Sequence, residues 1–357
     1  MNGTTRFPGG IALAAAALVA TAFPASATDY KMTIGSSHPP VLPWTLPLKT
    51  LIVPESNKRL KALGLPDTIM WTEAYAGALY DFNNTLEGVG DGLADVGWVG
   101  SLWEPAKQPL QNVAYYSPFV TGDFRALVEV QDQLMQKVPA FAAEWTKHNT
   151  VYLGAQVADT YHLVTKFPVT KFEDLKGKKL LAPGAIASRL EGTGATPVDA
   201  GLPVFYNMLQ TGVADGAVIL ITGVLPFKLH EVAPYITKVD LGAVFSGALA
   251  MNKKTWDGLP PHMQKLFREL GVEYAKMCAD LVAEREAAAW AALAKNPNVK
   301  VSELPQAERE KWAKALPDVA GDWARRNGEP GRVVLKTFME EARKRGAKPL
   351  REWDKGL

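Results

Sequence analysis

The chain has 357 residues, of which 47% are hydrophobic and 21% charged, with 39 lysines and arginines against 37 aspartates and glutamates. A formal net charge of +2 argues against a nucleic-acid-binding protein, and the apolar fraction argues against a mainly disordered chain. The single cysteine, Cys278, excludes an intramolecular disulfide and any multi-cysteine metal site. The composition therefore indicates a globular protein, and this length is typical of two domains.

Residues 1–27 have the three parts of an export signal. Arg6 precedes the apolar run 11–20, and the small residues 25–27 form an Ala-x-Ala cleavage site. A membrane anchor needs about 20 consecutive apolar residues, and this run is shorter. We therefore expect export, with cleavage after Ala27. No later stretch is long and apolar enough to span a bilayer, so stable membrane insertion is not expected.

Short apolar segments alternate with amphipathic segments along the rest of the chain. This alternation is typical of an α/β protein with largely parallel sheets. The strands are predicted at 30–34, 96–99, 151–153, 180–182 and 217–220.

One of these units occurs twice. The segment 91–99 recurs in outline at 211–219, and in each copy a glycine, Gly92 or Gly212, ends a helix-like stretch before the next strand. Two similar units predict two lobes. Because ligands bind beyond the carboxyl ends of parallel strands, we expect a cleft between 99–103 and 219–222.

A long uninterrupted helix is predicted at 259–295. Pro260 and Pro261 begin it, and no further proline occurs before Lys295. At 1.5 Å per residue its length is roughly 50 Å, more than one lobe needs, so we expect it to span both lobes. Cys278 lies in this helix and is expected to be a buried, unreactive thiol. Two further amphipathic helices are predicted at about 305–327 and 331–344.

The common catalytic and cofactor motifs are missing. The five histidines are too widely spaced for a helical metal pair, and there is no phosphate loop or nucleophile elbow. The glycines at 88–93 miss the last position of the dinucleotide-binding fingerprint. We therefore predict a binding protein with no metal, cofactor or catalytic residue. An exported enzyme acting on a small organic molecule is the rival hypothesis, which turnover of a bound compound would distinguish.

An ordered series of motifs carries a resemblance to a known family. The segments are Pro-Val-Thr-Lys-Phe-Glu-Asp-Leu-Lys-Gly at 168–177, Gly-Ala-Thr-Pro-Val at 194–198, Leu-Gln-Thr-Gly-Val-Ala-Asp-Gly at 209–216, and 251–260 before the long helix. Together they resemble the periplasmic solute-binding subunits of TRAP (tripartite ATP-independent periplasmic) transporters.

The resemblance implies a two-lobed periplasmic binding protein of the Venus-flytrap type, closing by a hinge on a small solute. Lobe 1 then comprises 28–151 plus about 247–275, and lobe 2 comprises 152–246 plus about 276–357. The implied partners are the small and large membrane subunits of a TRAP transporter, driven by an ion gradient and not by ATP. The implied location is the periplasm.

Two positions depart from the family pattern. Family members usually have arginine at the fourth position after the glycine of Asp-Leu-Lys-Gly, where it clamps a ligand carboxylate, and often have asparagine three residues after Asp-Gly. Here these positions are Leu181 and Ile219. An unpaired carboxylate facing both would lose several kcal/mol in desolvation.

Three hypotheses follow from this departure. The leading one is a neutral or largely apolar solute. The second keeps an organic acid and moves its anchor to His162, Lys166 or Arg189, and the third is that the binding role has been lost.

The candidate ligand-binding residues are aromatic or polar residues near the strand ends, together with the two departing positions. Core packing is the alternative role for each aromatic residue, and helix capping is the alternative for His38. The candidates are Ser37, His38, Trp98, Gly100, Trp103, Tyr161, His162, Leu181, Tyr206, Ile219 and Phe245.

Overall fold

The computed structural model of the protein describes residues 1–3 and 28–357. The predicted export signal and its cleavage site fall almost entirely on 4–27, outside the described residues. Among the described helices, none is both long and apolar enough to cross a membrane.

Strands and helices alternate as the sequence predicts. All five predicted strands are present, and the structure adds others that are shorter or less apolar. In chain order the strands are β1 (Asp29–Gly35), β2 (Thr68–Ala74), β3 (Val96–Val99), β4 (Thr150–Ala158), β5 (Tyr161–Thr165), β6 (Lys179–Leu181), β7 (Thr196–Val198), β8 (Gly216–Leu220), β9 (Tyr235–Lys238), β10 (Val244–Asn252) and β11 (Lys300–Glu303).

The strands form two sheets, one in each lobe. Lobe 1 contains a five-stranded sheet in the order β2-β1-β3-β10-β4, and lobe 2 a six-stranded sheet in the order β11-β9-β5-β8-β6-β7. The prediction of largely parallel sheets is wrong in part, because β10 pairs antiparallel with β3 and β4, and β5 pairs antiparallel with β8 and β9. These strands belong to the crossovers between the lobes.

The helices that cover the sheets vary widely in length. They are α1 (Val53–Ala62), α2 (Thr85–Gly90), α3 (Phe124–Lys137), α4 (Pro139–Thr146), α5 (Phe205–Gln210), α6 (Ile221–Val224), α7 (Leu229–Val232), α8 (Lys253–Gly258), α9 (Pro261–Lys295), α10 (Gln306–Ala315), α11 (Val319–Arg326) and α12 (Gly328–Lys344).

The chain passes between the two sheets at residues 159–160, where β4 leads to β5, and again at 239–243, where β9 leads to β10. These crossings differ by several residues from the boundaries predicted near 151 and 246. The local sequence does not show where the crossings lie, because the nine-residue strand β4 runs up to the first crossing and the nine-residue strand β10 begins directly after the second.

The helix α9 braces both lobes. It packs against β4 and α1 on the side of lobe 1 and against α6 and β11 in lobe 2. Contact with β4 depends on Gly154 and Gly271, since a Cβ on Gly154 would lie 2.0 Å from the Gly271 carbonyl oxygen. Cys278 is fully buried on this helix, and burial raises its thiol pKa to about 12, which agrees with the predicted unreactive thiol.

The carboxyl-terminal region differs from its prediction in one respect. The helix predicted at about 305–327 is two helices, α10 and α11, which are separated at Pro317. Proline disfavours helical geometry in the residue before it, and Leu316 has an extended ψ of 134°.

The repeated segments have the same local structure. Gly92 follows α2 with a φ of +81°, and Gly212 follows α5 with a φ of +79°. Both glycines adopt the left-handed conformation that ends a helix, and β3 or β8 follows. Residues near the carboxyl ends of the two strands, Trp98 in β3 and Leu220 in β8, line one cavity between the lobes.

Candidate functional site

A cavity lies between the lobes at the carboxyl ends of β3 and β8. It contains about 740 Å³ of space not filled by protein atoms, including its open side. Its lining comes from both lobes and from the crossover strands: His38, Trp44, Phe82, Trp98, Leu102, Trp103, Tyr115, Ala158, Tyr161, Pro183, Ile186, Leu202, Pro203, Phe205, Val218, Ile219, Leu220 and Ser246.

The wall from lobe 1 is aromatic. His38 packs edge-on against Trp98 with 4.8 Å between ring centroids, and the Trp44 and Trp103 centroids lie 5.9 and 6.2 Å from the His38 ring. Gly100 makes room for this arrangement, since a Cβ there would lie 2.7 Å from the Trp98 ring. The three tryptophans and the histidine therefore form one packed surface.

His38 is a neutral member of this wall. Burial lowers the pKa of its imidazole to about 4, so the ring is uncharged at neutral pH. The Ser37 hydroxyl and His38 Nδ1 are 3.1 Å apart and share a hydrogen bond. His38 thus follows β1 as predicted but caps no helix.

The wall from lobe 2 is mainly aliphatic. Pro183 and Ile186 follow β6, Leu202 precedes α5, and Ile219 lies in β8. The walls meet at the edge of the cavity, where a Cβ on Gly201 would lie 3.0 Å from Cζ of Phe82. This contact between residues of the two lobes indicates a closed arrangement of the cleft.

The polar part of the lining is small: Tyr161 and Ser246 follow the two crossings between the sheets, and Tyr115 lies in the loop before α3. Tyr115 and Tyr161 have their ring centroids 6.3 Å apart, and Ser246 lies in β10. The Ser246 hydroxyl donates to Gln156 Oε1 at 2.7 Å, and Trp98 Nε1 donates to the same oxygen at 3.3 Å. The Tyr115 hydroxyl is buried close to the hydroxyls of Tyr161 and Ser246, and it makes no hydrogen bond of ordinary length to the described residues.

A buried arginine lies behind the two tyrosines. The Arg189 guanidinium carbon is 4.9 Å from the Tyr161 ring centroid and 5.8 Å from that of Tyr115. Its Nη atoms donate to the carbonyl oxygens of Leu241, Gly242 and Ala114. Burial lowers its pKa to about 10, so it remains charged at neutral pH. Arg189 does not line the cavity.

A buried carboxyl group lies at the crossover between β4 and β5. Asp159 accepts hydrogen bonds from the Thr222 amide at 3.1 Å and from the Thr222 hydroxyl at 2.6 Å. Burial raises the Asp159 pKa to about 7, although the bonds from Thr222 oppose that rise.

The structure brings five of the predicted site residues together in the cavity lining: His38, Trp98, Trp103, Tyr161 and Ile219. Two others lie directly behind that lining. Ser37 bonds to His38, and Gly100 lies against the Trp98 ring.

Four predicted residues lie away from the cavity lining. Leu181 is fully buried in a cluster of lobe 2 that includes Phe205 and Leu209. Phe245 packs against Phe141 and Phe338, since it lies on the opposite face of β10 from Ser246. Tyr206 is half-buried, with its hydroxyl 3.4 Å from Glu231.

His162 is the fourth of these residues. Its Nδ1 accepts from the amides of Val239 and Asp240, and burial lowers its pKa to about 3, with the charges of Lys238 and Arg309 acting in the same direction. A neutral imidazole held in this way has a structural role in joining β5 to the crossover that follows β9. Lys166 also lies outside the lining.

Sequence reasoning missed several lining residues, notably Trp44, Phe82, Tyr115, Pro183 and Ile186. They lie in loops and short turns, where no periodic pattern shows which side chain faces the cleft. Ser246 was missed as well, because both faces of β10 are buried and its sequence does not show which side chains face the cleft.

A family model matches most of the length of the chain. Residues 73–326 match the model of bacterial extracellular solute-binding protein, family 7. The chain belongs to this family. Family 7 is a group of solute-binding proteins, and its two-lobed α/β fold is the one described above.

Individual relatives are distant. The C4-dicarboxylate-binding periplasmic protein DctP of Rhodobacter capsulatus is 26% identical over 176 residues, 49% of this chain and 53% of that protein. The ectoine-binding periplasmic protein TeaA of Halomonas elongata is 23% identical over 254 residues, 69% of this chain and 71% of that protein. The chain spans about half the length of the first curated relatives it matches.

Solved structures share the fold. A TRAP solute-binding protein from Rhodoferax ferrireducens, in complex with copurified benzoate, superposes with a TM-score of 0.76 at 22% identity and covers 88% of this chain and 98% of that one. The ectoine-binding protein of Halomonas elongata superposes with a TM-score of 0.73 at 18% identity, covering 89% and 100%.

Proposed function

We propose that this family 7 protein captures an uncharged, largely apolar organic solute in the cavity and delivers it to the small and large membrane subunits of a TRAP transporter. The observation that carries the proposal is the lining. Among the described residues, no aspartate, glutamate, lysine or arginine lines the cavity, and the only histidine there is neutral.

Desolvation is the physical reason for an uncharged solute. A carboxylate moved from water into this cavity would lose its hydration and would meet aromatic rings and Ile219, at a cost of several kcal/mol. An uncharged ring has no such cost and gains roughly 25 cal/mol for each Å² of apolar surface that it buries. The cavity therefore favours an apolar solute over an ionised one.

The same proposal includes the cellular location of the protein and the way in which it binds and releases its solute. The protein acts in the periplasm after the export signal is removed behind Ala27, and it binds its solute without turnover. The lobes open by hinge motion at 159–160 and 239–243, and the closed form depends on contacts that need both walls. An ion gradient drives release into the transporter.

An organic acid is the second candidate solute, and Arg189 is the observation that favours it. This guanidinium is buried, charged and bonded only to carbonyl oxygens in the described structure. Its positive potential extends into the cavity through Tyr115 and Tyr161. Its Nε has no hydrogen-bond partner among the described residues, but the guanidinium does not line the cavity, so a ligand could reach it only if the rings of Tyr115 and Tyr161 moved aside.

The test is thermal unfolding of the protein from Thr28 onward against dicarboxylates, aromatic and aliphatic monocarboxylates, and uncharged apolar compounds. A ligand at 100 times its dissociation constant adds about 2.7 kcal/mol, which raises the midpoint by roughly 5 to 10 °C. We expect the shift with uncharged compounds. A shift with acids alone would contradict the proposal, and mass spectrometric detection of a converted ligand would establish an enzyme.

A pair of variants tests whether the solute binds in this cavity. Trp103 is half-buried in the cavity wall and packs edge-on against Phe82 at 5.7 Å, whereas Trp71 packs against Phe267 far from the cavity. We expect Trp103→Ala to weaken binding of the uncharged hit by at least about tenfold, because an aromatic contact surface is lost. The control Trp71→Ala should bind as the wild type does; equal weakening in both variants would place binding elsewhere.

A further inference from the structure

Two hydrogen-bond donors in the cavity lining make no hydrogen bond to any of the described residues. The Tyr115 hydroxyl and Trp44 Nε1 are both buried, and both residues line the cavity. Tyr115 itself is fully buried, with no measurable exposure. A buried polar group without a partner costs about 1–3 kcal/mol, so a bound molecule that supplies the partner gains that amount.

The indole of Trp44 determines which kind of hydrogen-bonding group a ligand must supply. An indole N–H only donates, so its partner has to be an acceptor. The backbone of Trp44 is held in place from behind, since Tyr274 of α9 donates to the Trp44 carbonyl oxygen at 2.7 Å. A ligand that bonds to this donor must therefore place an acceptor atom next to the wall from lobe 1.

The polar corner around Tyr115 also favours an acceptor. Because Trp98 Nε1 only donates, the Gln156 atom that it meets is an oxygen, and the Ser246 hydroxyl must donate to that same oxygen. The proton of Ser246 is thus used, and the hydroxyls of Tyr115 and Tyr161 lie close to it, so their protons are the ones for which a ligand acceptor can compete.

Arg189 lies against both tyrosine rings without offering a site to an anion. Burial raises the pKa of both phenols, to about 12 for Tyr115, and the charge of Arg189 opposes this rise only in part, so both hydroxyls keep their protons at neutral pH. The rings line the cavity and the guanidinium does not. Asp159 is also near Tyr161, and its carboxylate form would repel an anion at this end.

We infer that the solute is an uncharged ring compound with a carbonyl-type oxygen, such as an aryl ketone, lactone or amide. Its oxygen accepts from the phenol donors of Tyr115 and Tyr161 or from Trp44 Nε1, and its ring packs on the aromatic wall. The inference rests on the proposed function and narrows it from apolar solutes in general to those that carry a neutral acceptor.

The experiment compares three probes of nearly equal size by calorimetric titration of the protein from Thr28 onward. Isopropylbenzene has no acceptor, acetophenone has a neutral carbonyl, and benzoate has a charged carboxylate. We expect acetophenone to bind about five- to tenfold more tightly than isopropylbenzene, the gain from one hydrogen bond, and benzoate to bind most weakly.

The possible outcomes distinguish a failure of the acceptor inference from a failure of the proposed function. Equal affinity for acetophenone and isopropylbenzene overturns the acceptor inference and leaves an apolar solute standing. Benzoate as the tightest ligand overturns both, and binding of none of the three overturns the assignment to small ring compounds.

Donor-deleting variants test the residues themselves. Tyr115→Phe and Trp44→Phe keep an aromatic ring and remove the donor, and Tyr116→Phe, next in sequence but outside the cavity lining, is the matched control. We expect at least one of the first two to reduce the preference for acetophenone by about fivefold, with isopropylbenzene affinity unchanged. A preference that survives in both variants and in Tyr161→Phe overturns the assigned donors. Circular dichroism confirms that each variant is folded.

Discussion

The two walls of the cavity are built from different chemistry. The wall from lobe 1 consists of Trp44, Trp98, Trp103 and the neutral His38, whose rings hold one another in edge-on contacts. The wall from lobe 2 consists mainly of proline and branched aliphatic side chains around Ile219. Flat rings with few rotamers provide a stiff surface, whereas aliphatic side chains adapt in shape.

This difference assigns separate tasks to the lobes. The hydrogen-bond donors that face the cavity lie on the wall from lobe 1 and on the crossover segments, while the aliphatic wall supplies apolar area alone. We therefore expect lobe 1 and the crossovers to select the solute, and lobe 2 to exclude water from it on closure. The following predictions test this division.

The largest expected effect concerns the layer behind the aliphatic wall. Leu181 is fully buried among apolar residues of lobe 2, so Leu181→Arg would bury a guanidinium with no acidic partner. We expect a loss of at least about 4 kcal/mol in the free energy of unfolding, measured with urea. The comparison is Ile219→Arg, where the new side chain can reach the open cavity and the loss should be about half as large.

The opposite outcome for Leu181→Arg has a clear meaning. If the variant kept its stability and gained affinity for an organic acid, Leu181 would face the solute. The aliphatic wall would then extend one layer deeper than the cavity lining indicates.

The next effect concerns the place where the walls meet. Gly201 has an ordinary φ of −74°, so a larger residue there is limited by contact with Phe82 and not by backbone strain. We expect Gly201→Leu to hold the lobes apart and to weaken solute binding about tenfold, because the competent closed form becomes less populated. Small-angle scattering should show a more extended particle.

The control for this variant is Gly122→Leu, since Gly122 has open space around it. It should leave affinity and shape unchanged. Wild-type affinity in Gly201→Leu would mean that Phe82 turns aside and that closure does not need this contact.

A further prediction concerns the neutral histidine of the aromatic wall. The pKa of His38 is about 4 in the folded protein, below its ordinary value of 6.5, so the unfolded chain takes up this proton first as the pH falls. The contribution of His38 to the free energy of unfolding should therefore decrease from about pH 6.5 down to pH 4, by about 2 kcal/mol between pH 7 and pH 5.

Substitution isolates this contribution from those of other groups. In His38→Gln the decrease between pH 7 and pH 5 should be about 2 kcal/mol smaller than in the wild type. Identical slopes in the wild type and His38→Gln would mean that His38 is solvated and that the aromatic wall is open to water.

Much of the architecture could be predicted from local signals. Proline at the start and the absence of proline for a long stretch defined α9, and Gly92 and Gly212 marked two equivalent helix ends. These signals act within a few residues, so a sequence contains them completely. The break at Pro317 was equally local and could have been predicted from the same rule.

The site was only partly predictable because it depends on contacts between distant segments. Tyr161 and His162 are neighbours, yet only Tyr161 faces the cavity, and the same is true of Ser246 and Phe245. Which of two adjacent residues points inward is fixed by the register of β5 and β10 in their sheets. No local pattern gives that register here, since both faces of these strands are buried.

The sequence by itself determined the α/β class, the long helix and the family resemblance of its ordered motifs. Each of these depends on short-range backbone preferences or on residue order. Only the tertiary structure decided that Leu181 belongs to the core while Ile219 lines the cavity, and that Trp44 and Tyr115 both line it as buried donors without a partner among the described residues. Those facts arise from packing between segments far apart in the chain, where burial and hydrogen bonding are set by three-dimensional neighbours.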